Sequence, residues 1–171
     1  MVARDAEPYR GPVSVPRPVN EIRWVLHRTM FSLTGGRVGT APPRGGVGTL
    51  FLLSRGRKSG KLRRNGLYYV EDPPNLAVVA SNAGENADPQ WWKNLQATPD
   101  ADVELGTHRL PIRARPATAE ETERMWPRFD AGHKEYAEYR ARAYRRTIPV
   151  VILEPREASP AEADSSAAQS G

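Results

Sequence analysis

Between residues 47 and 154 short apolar runs alternate with turn-forming pairs, and this rhythm confines the chain to small strands joined by hairpins. Segments 47–54, 62–71 and 75–82 read as strands, with Asp72-Pro73-Pro74 turning the chain between the last two. Two more follow at 101–106 and 108–115, joined at Gly106-Thr107, and Leu110, Ile112 and Ala114 alternate with polar partners as a half-buried strand requires. Ile148 to Glu154 forms the last. Helix-start signals interrupt the series. Asp88 before Pro89 reads as an N-cap and first-turn proline opening 89–97. Thr118 with Glu121 three residues later is a capping box opening 119–130. Gly132 separates that segment from a helix at 133–145. Hairpins with helices between them and near the end imply a small antiparallel barrel and not a parallel βαβ sheet.

Composition removes several kinds of chemistry. With no cysteine among 171 residues there can be no disulfide, thiol nucleophile or iron–sulfur ligand. His27, His108 and His133 stand too far apart for a histidine metal pair, so no metal is expected. The segment MVARDAEPYR lacks the apolar stretch of a secretory signal. The longest purely apolar run, Leu76 to Ala80, is far short of the ~20 residues of a spanning helix. A cytoplasmic protein is therefore expected.

The net charge of +5 points to an anionic partner, and its location is specific. Ser54 to Arg64 (SRGRKSGKLRR) holds Arg55, Arg57, Lys58, Lys61, Arg63 and Arg64 with no acid among them; without those six the remaining 160 residues carry −1. Gly56 and Gly60 let the backbone turn, and Ser59 adds a hydroxyl. Together these are the parts of a phosphate cradle built from charged donors and exposed backbone N–H groups. The spacing is not that of a P-loop, because three residues separate the glycines where four are needed, and Leu62 stands in place of Ser or Thr. No dinucleotide fingerprint or nucleophile elbow is present. A solvated hairpin tip is the plain alternative. Nucleic-acid binding is disfavoured, since the loop has no aromatic residue for base stacking.

Several motifs in order, "GRKSGKLR", "LYYV", "VVASNAGENADPQWWKNL", "ARPATAEE" and "YAEYRARAYRRTIPVVILEP", resemble the deazaflavin (coenzyme F420)-dependent nitroreductase family from about Leu50 to Pro155. The resemblance implies a mainly β fold with helices (α+β), a small antiparallel split β-barrel of the flavin-reductase and pyridoxamine-phosphate-oxidase type. It also implies F420 as hydride donor. Carried over by motif, Arg57, Lys58, Ser59, Gly60 and Arg63 hold the cofactor's phosphate and acidic tail. Ala80, Ser81 and Asn82 border the deazaflavin ring, and Trp91 stands near the mouth of the active site, facing cofactor and substrate. Tyr136 and Tyr139 match the tyrosines that face the substrate, with His133 and Ser81 also toward it. Because a phenol stays protonated at neutral pH, Tyr136 is read as the catalytic residue, a proton donor or substrate orienter. The chain departs from the family pattern at Ala83, where a second adjacent glycine is common, at Gly66, where proline is common, and at His133, which replaces a tyrosine.

The expected activity is hydride transfer from reduced F420 to a quinone-like or nitroaromatic acceptor. An FMN-dependent oxidoreductase on the same barrel and a non-catalytic cofactor carrier are the alternatives. The expected organisation is an extended arm at 1–18, one barrel domain at 19–155 and a disordered tail at 156–171. Within the domain, Ile22, Val25, Leu26, Thr29, Met30 and Leu33 form one stripe of a helix at 19–34. The stripe is read as packing on the barrel; the alternative, suggested by Trp24, Phe31 and the basic residues, is peripheral contact with the inner membrane face. Residues 35–46 read as a Gly/Pro-rich loop. The sequence leaves the oligomeric state open.

Overall fold

The computed structural model describes residues 41–44 and 46–157. The extended arm, the helix expected at 19–34, His27 and most of the C-terminal tail lie outside the described residues. The strands are β1 (Ala41–Arg44), β2 (Val47–Arg55), β3 (Leu62–Asp72), β4 (Asn75–Val79), β5 (Asp100–Leu105), β6 (His108–Pro116) and β7 (Val150–Pro155). The helices are α1 (Gln90–Ala97), α2 (Ala119–Gly132) and α3 (Glu135–Arg142), with a short 3-10 turn at Asn82–Gly84.

All pairings are antiparallel, in the order β1-β2-β3-β4-β7-β6-β5, and β5 pairs back onto β2. Six strands thus close a barrel in the α+β class. One edge of β2 is divided: its start pairs with β1, and Phe51 to Leu53 pair with Glu104 to Asp102 of β5. β1 falls where a loop was expected. Pro42 and Pro43 cannot donate to a ladder, but an edge strand tolerates them.

Strand alternation sorts the core into two layers. Leu50, Leu52, Tyr69, Val78, Val103, Ile112, Val151 and Leu153 join Trp91, Trp92 and Leu95 of α1 in one cluster, to which all six barrel strands contribute. The intervening residues Val70, Ala77, Val79, Val150 and Ile152 face the other way, onto Met125 and Phe129 of α2 and Tyr136 of α3. β4 and β7 are therefore buried on both faces, which is why they read as unbroken apolar runs, whereas β6 alternates.

The capping box forms as expected: the Thr118 hydroxyl accepts from Glu121 N–H at 3.2 Å, and the Glu121 carboxylate accepts from Thr118 N–H at 2.8 Å. The start of α1 differs. Its N-cap is Pro89, with no side-chain cap, because the Asp88 carboxylate is taken by Arg146 at 2.8 Å. β4 stops at Val79 and not at 82 because the Ala80 and Ser81 carbonyls accept from the same arginine. α3 is shorter than expected, and His133 precedes it as the C-cap of α2. Among the described residues no helix is long and apolar enough to cross a membrane.

Candidate active site

β2 and β3 pair up to Arg55 and Leu62, so the basic loop is a hairpin tip from Gly56 to Lys61. Its backbone N–H groups turn inward. Gly56 donates to the Lys61 carbonyl, Ser59 and Gly60 both donate to the Gly56 carbonyl, and Arg57 donates to Asn94 Oδ1 at 3.2 Å. The exposed nest of N–H groups expected from the glycines is therefore largely consumed in shaping the turn, and an anion must be met by side chains. Gly60 supplies a left-handed φ of +65° to that turn.

The six cations divide by their partners. Arg64 donates to Glu104 at 2.9 Å through Nε and lies 3.9 Å from the Phe51 ring, so it belongs to the barrel wall. Arg57 donates through one Nη to Gln90 Oε1 at 3.0 Å and to Asn94 Oδ1 at 3.1 Å, which aims the guanidinium without neutralising it. Among the described residues no carboxylate pairs with the five cations other than Arg64: Arg55, whose guanidinium reaches the Gly60 carbonyl, Lys61, and the three residues Arg57, Lys58 and Arg63.

These three line a cleft of about 1440 Å³ that runs from the loop past α1 to α3. Of the residues nominated from sequence, Arg57, Lys58, Ser59, Arg63, Ser81, Asn82, Trp91, His133, Tyr136 and Tyr139 line it. Gly60 and Ala80 do not. Gly60 shapes the turn, and Ala80 is fully buried in the barrel core with its carbonyl held by Arg146. Trp91 and Trp92 are equally buried, but only Trp91 reaches the cleft.

The far end of the cleft is aromatic. His133 sits 4.6 Å from Tyr68, 4.9 Å from Tyr136 and 6.2 Å from Tyr139 between ring centroids. The Tyr139 hydroxyl donates to Glu135, whose carboxylate also lies 3.5 Å from His133 Nε2. Tyr136 is 3% exposed, and among the described residues neither its hydroxyl nor that of Ser81 has a hydrogen-bond partner. Burial, reinforced by the neighbouring phenols of Tyr68 and Tyr139, pushes the Tyr136 pKa well above the usual phenol range. Burial and the bond to Glu135 do the same for Tyr139. Both phenols therefore keep their protons at neutral pH.

Between the two ends runs the segment Ser81–Gly84. Asn82 and Ala83 have φ of 48° and 52°, a left-handed region that costs a non-glycine residue roughly 1–3 kcal/mol. Ala83 is the position where a glycine would be expected. Gly84 is required on space alone: a Cβ there would stand 2.9 Å from the backbone of Tyr139.

Tyr68, Asn65, Gln90 and Asn94 also line the cleft and were not singled out in the sequence. Two signals could have found some of them. Tyr68 and Tyr69 are neighbours on one strand and must face opposite sides, Tyr69 inward and Tyr68 to the cleft. Asn94 is a polar residue on the buried stripe of α1, 6% exposed, and such a group needs a partner. Among the described residues no group of three or more His, Asp or Glu side chains could hold a metal ion.

A closed split barrel with a large cleft that joins cations without carboxylate partners, among the described residues, to a pocket of aromatic rings defines an oxidoreductase that works through a phosphate-bearing organic cofactor. The family model for the F420H(2)-dependent quinone reductases matches residues 23–155, and the chain belongs to that family. It is an F420-dependent oxidoreductase. A protein of Mycobacterium tuberculosis strain H37Rv, named for F420H(2)-dependent quinone reduction, is 41% identical over 110 residues, which is 64% of this chain and 92% of that one. An F420H(2)-dependent quinone reductase of the same strain is 32% identical over 131 residues, 75% of this chain and 87% of its own. A solved F420-H2 dependent reductase shares 36% identity over 62% of this chain and 93% of that one, with a TM-score of 0.56. Another solved structure, described as a domain-swapped dimer, shares 32% identity over 80% of this chain and 99% of that one, with a TM-score of 0.59.

Proposed function

We propose that this chain transfers hydride from reduced F420 to a small planar acceptor, a quinone or a nitroaromatic compound, within this cleft. The observation that carries the reading is the division of that cleft. Cations without carboxylate partners stand at one end, and uncommitted hydroxyls among aromatic rings stand at the other. A volume of about 1440 Å³ exceeds the ~300–1,000 Å³ usual for one ligand, so cofactor and acceptor fit together.

In this reading Arg57, Lys58 and Arg63 bind the phosphate and acidic tail through charge-assisted bonds, with the Ser59 hydroxyl beside them. Ser81, Asn82 and Trp91 border the ring, which supplies the hydride when bound. Tyr68, His133 and Tyr139 hold the acceptor by stacking against its plane. Tyr136 keeps a proton on an oxygen with no internal partner, where it can donate to the oxygen of the reduced product. The barrel domain is proposed to span 19–155, which the family match over 23–155 supports.

The test is to titrate the purified chain with F420 and with FMN, then to add menadione or a nitroaromatic compound to the reduced complex. Preferential F420 binding with oxidation by either acceptor is expected. Tighter binding of FMN, or F420 binding that no acceptor discharges, would refute the reading; the second result would mark a carrier.

A further inference from the structure

Arg146 does not line the cleft, yet it holds the wall that does. Its side chain is only 12% exposed. Nε donates to the Glu85 carbonyl at 2.9 Å and one Nη to Asp88 Oδ1 at 2.8 Å. The other Nη donates to the carbonyls of Ala80 at 3.1 Å and Ser81 at 2.8 Å. One planar guanidinium therefore ties the two ends of segment 80–88 together. The middle of that segment contains the left-handed pair Asn82 and Ala83, a conformation that persists only where surrounding contacts over-determine it.

The other anchors of the segment come from the same stretch of chain. Arg142 donates to the Ala83 carbonyl at 3.0 Å, and Arg145 N–H donates to Asn86 Oδ1 at 2.8 Å. Gly84 packs against the Tyr139 backbone with no room for a Cβ. Segment 80–88, which presents Ser81 and Asn82, is thereby bolted to α3, which presents Tyr136 and Tyr139.

We propose that Arg146 is a positioning residue for the reduction: its guanidinium sets the spacing between the Ser81–Asn82 wall and the Tyr136–Tyr139 wall. The inference rests on the F420-dependent reading above. It acts through backbone carbonyls, so lysine is a poor substitute: an ammonium is a point donor and cannot span three carbonyls and a carboxylate in one plane. The grip on the acidic tail should be spared, because Arg57, Lys58 and Arg63 are anchored to α1 and to the β2–β3 hairpin and not to this segment.

The experiment compares Arg146→Lys and Arg146→Ala with the wild-type full chain in four measurements. These are thermal melting, F420 affinity by fluorescence, menadione kcat and KM, and amide exchange across residues 80–88. Arg146→Lys is expected to stay folded and to keep F420 affinity within about threefold. Its kcat/KM for menadione should fall about 10–100-fold, the scale of a small misplacement of reacting groups. Exchange across 80–88 should rise, and added guanidinium ion should restore part of the Arg146→Ala activity. Wild-type kcat/KM together with wild-type exchange in Arg146→Lys would overturn the proposal, as would equal losses of F420 affinity and turnover. If Arg146→Ala fails to fold, the lysine variant decides alone. If wild-type protein itself shows no F420-dependent turnover, the functional reading fails; exchange across 80–88 and menadione quenching of tryptophan fluorescence then decide whether Arg146 sets this wall.

Discussion

Replacing Tyr136 by Phe should separate chemistry from stability at one atom. The ring makes edge contacts with Phe129 at 5.6 Å, Trp126 at 6.1 Å, His133 at 4.9 Å and Tyr139 at 5.9 Å, all of which phenylalanine keeps. Among the described residues the hydroxyl has no hydrogen-bond partner, so its removal breaks no internal bond. The change in folding free energy is expected to stay within about 0.5 kcal/mol, or roughly 3 °C in melting temperature for a domain of this size. The loss of a positioned acid should lower kcat about 100-fold or more, equivalent to about 2.7 kcal/mol at the transition state. Menadione turnover with reduced F420, paired with a thermal melt, makes the measurement. Tyr136→Ala provides the contrast, since losing the ring from this cluster costs about 3–5 kcal/mol. The pH dependence gives a third readout. Burial raises the folded pKa above the unfolded value of about 10. The phenol's contribution to stability is thus complete below pH 10 and declines as pH rises above it, and Tyr136→Phe should flatten that alkaline limb. Turnover within twofold of wild type, or a melting loss above about 8 °C, would show that the hydroxyl serves packing and not proton delivery.

Other outcomes follow from single contacts. Lys58→Ala should weaken F420 binding about tenfold, with a shallower salt dependence than wild type, because a charge-assisted contact is lost at an exposed site; fluorescence titration at two ionic strengths checks it. The Arg115 guanidinium, bonded at 2.7 and 2.8 Å, and then the Thr118 N–H lower the Glu121 pKa to about 2. The stability it contributes is present above the ordinary carboxyl pKa of about 4.5 and is lost as pH falls toward 2. Glu121→Gln should therefore cost about 1–2 kcal/mol at pH 7 and less at pH 2.5, measured by urea melts. At Gly132 a Cβ would lie 2.0 Å from Val47 Cγ2, so Gly132→Ala should destabilise by about 1–2 kcal/mol despite its better helix propensity.

What the sequence determined by itself is what neighbours in the chain decide. The capping box at Thr118, the two-residue turn at Gly106-Thr107, the alternation of β6 and the cationic hairpin all depend on residues a few positions apart, and they stand where the pattern put them. The motif order was enough to reach the family and its cofactor. Tertiary structure decided wherever a distant group competed for a local one. Asp88 reads as a helix cap, but Arg146, 58 residues on, offers it a charged partner, and the same guanidinium ends β4 early by taking the carbonyls of Ala80 and Ser81. The glycines of the basic loop read as an exposed nest, yet Asn94, 37 residues from Arg57, and the loop's own carbonyls take most of its N–H groups. A cleft is by nature such a long-range object. Arg57 is aimed by α1, and Tyr68 of β3 meets His133 beyond α2, so no spacing along the chain could set their distances. Local hydrogen-bonding preferences set the elements, and only the tertiary packing, which sets α1 against β2, α2 against β3 and α3 against the Asn82–Gly84 turn, could turn those elements into a site.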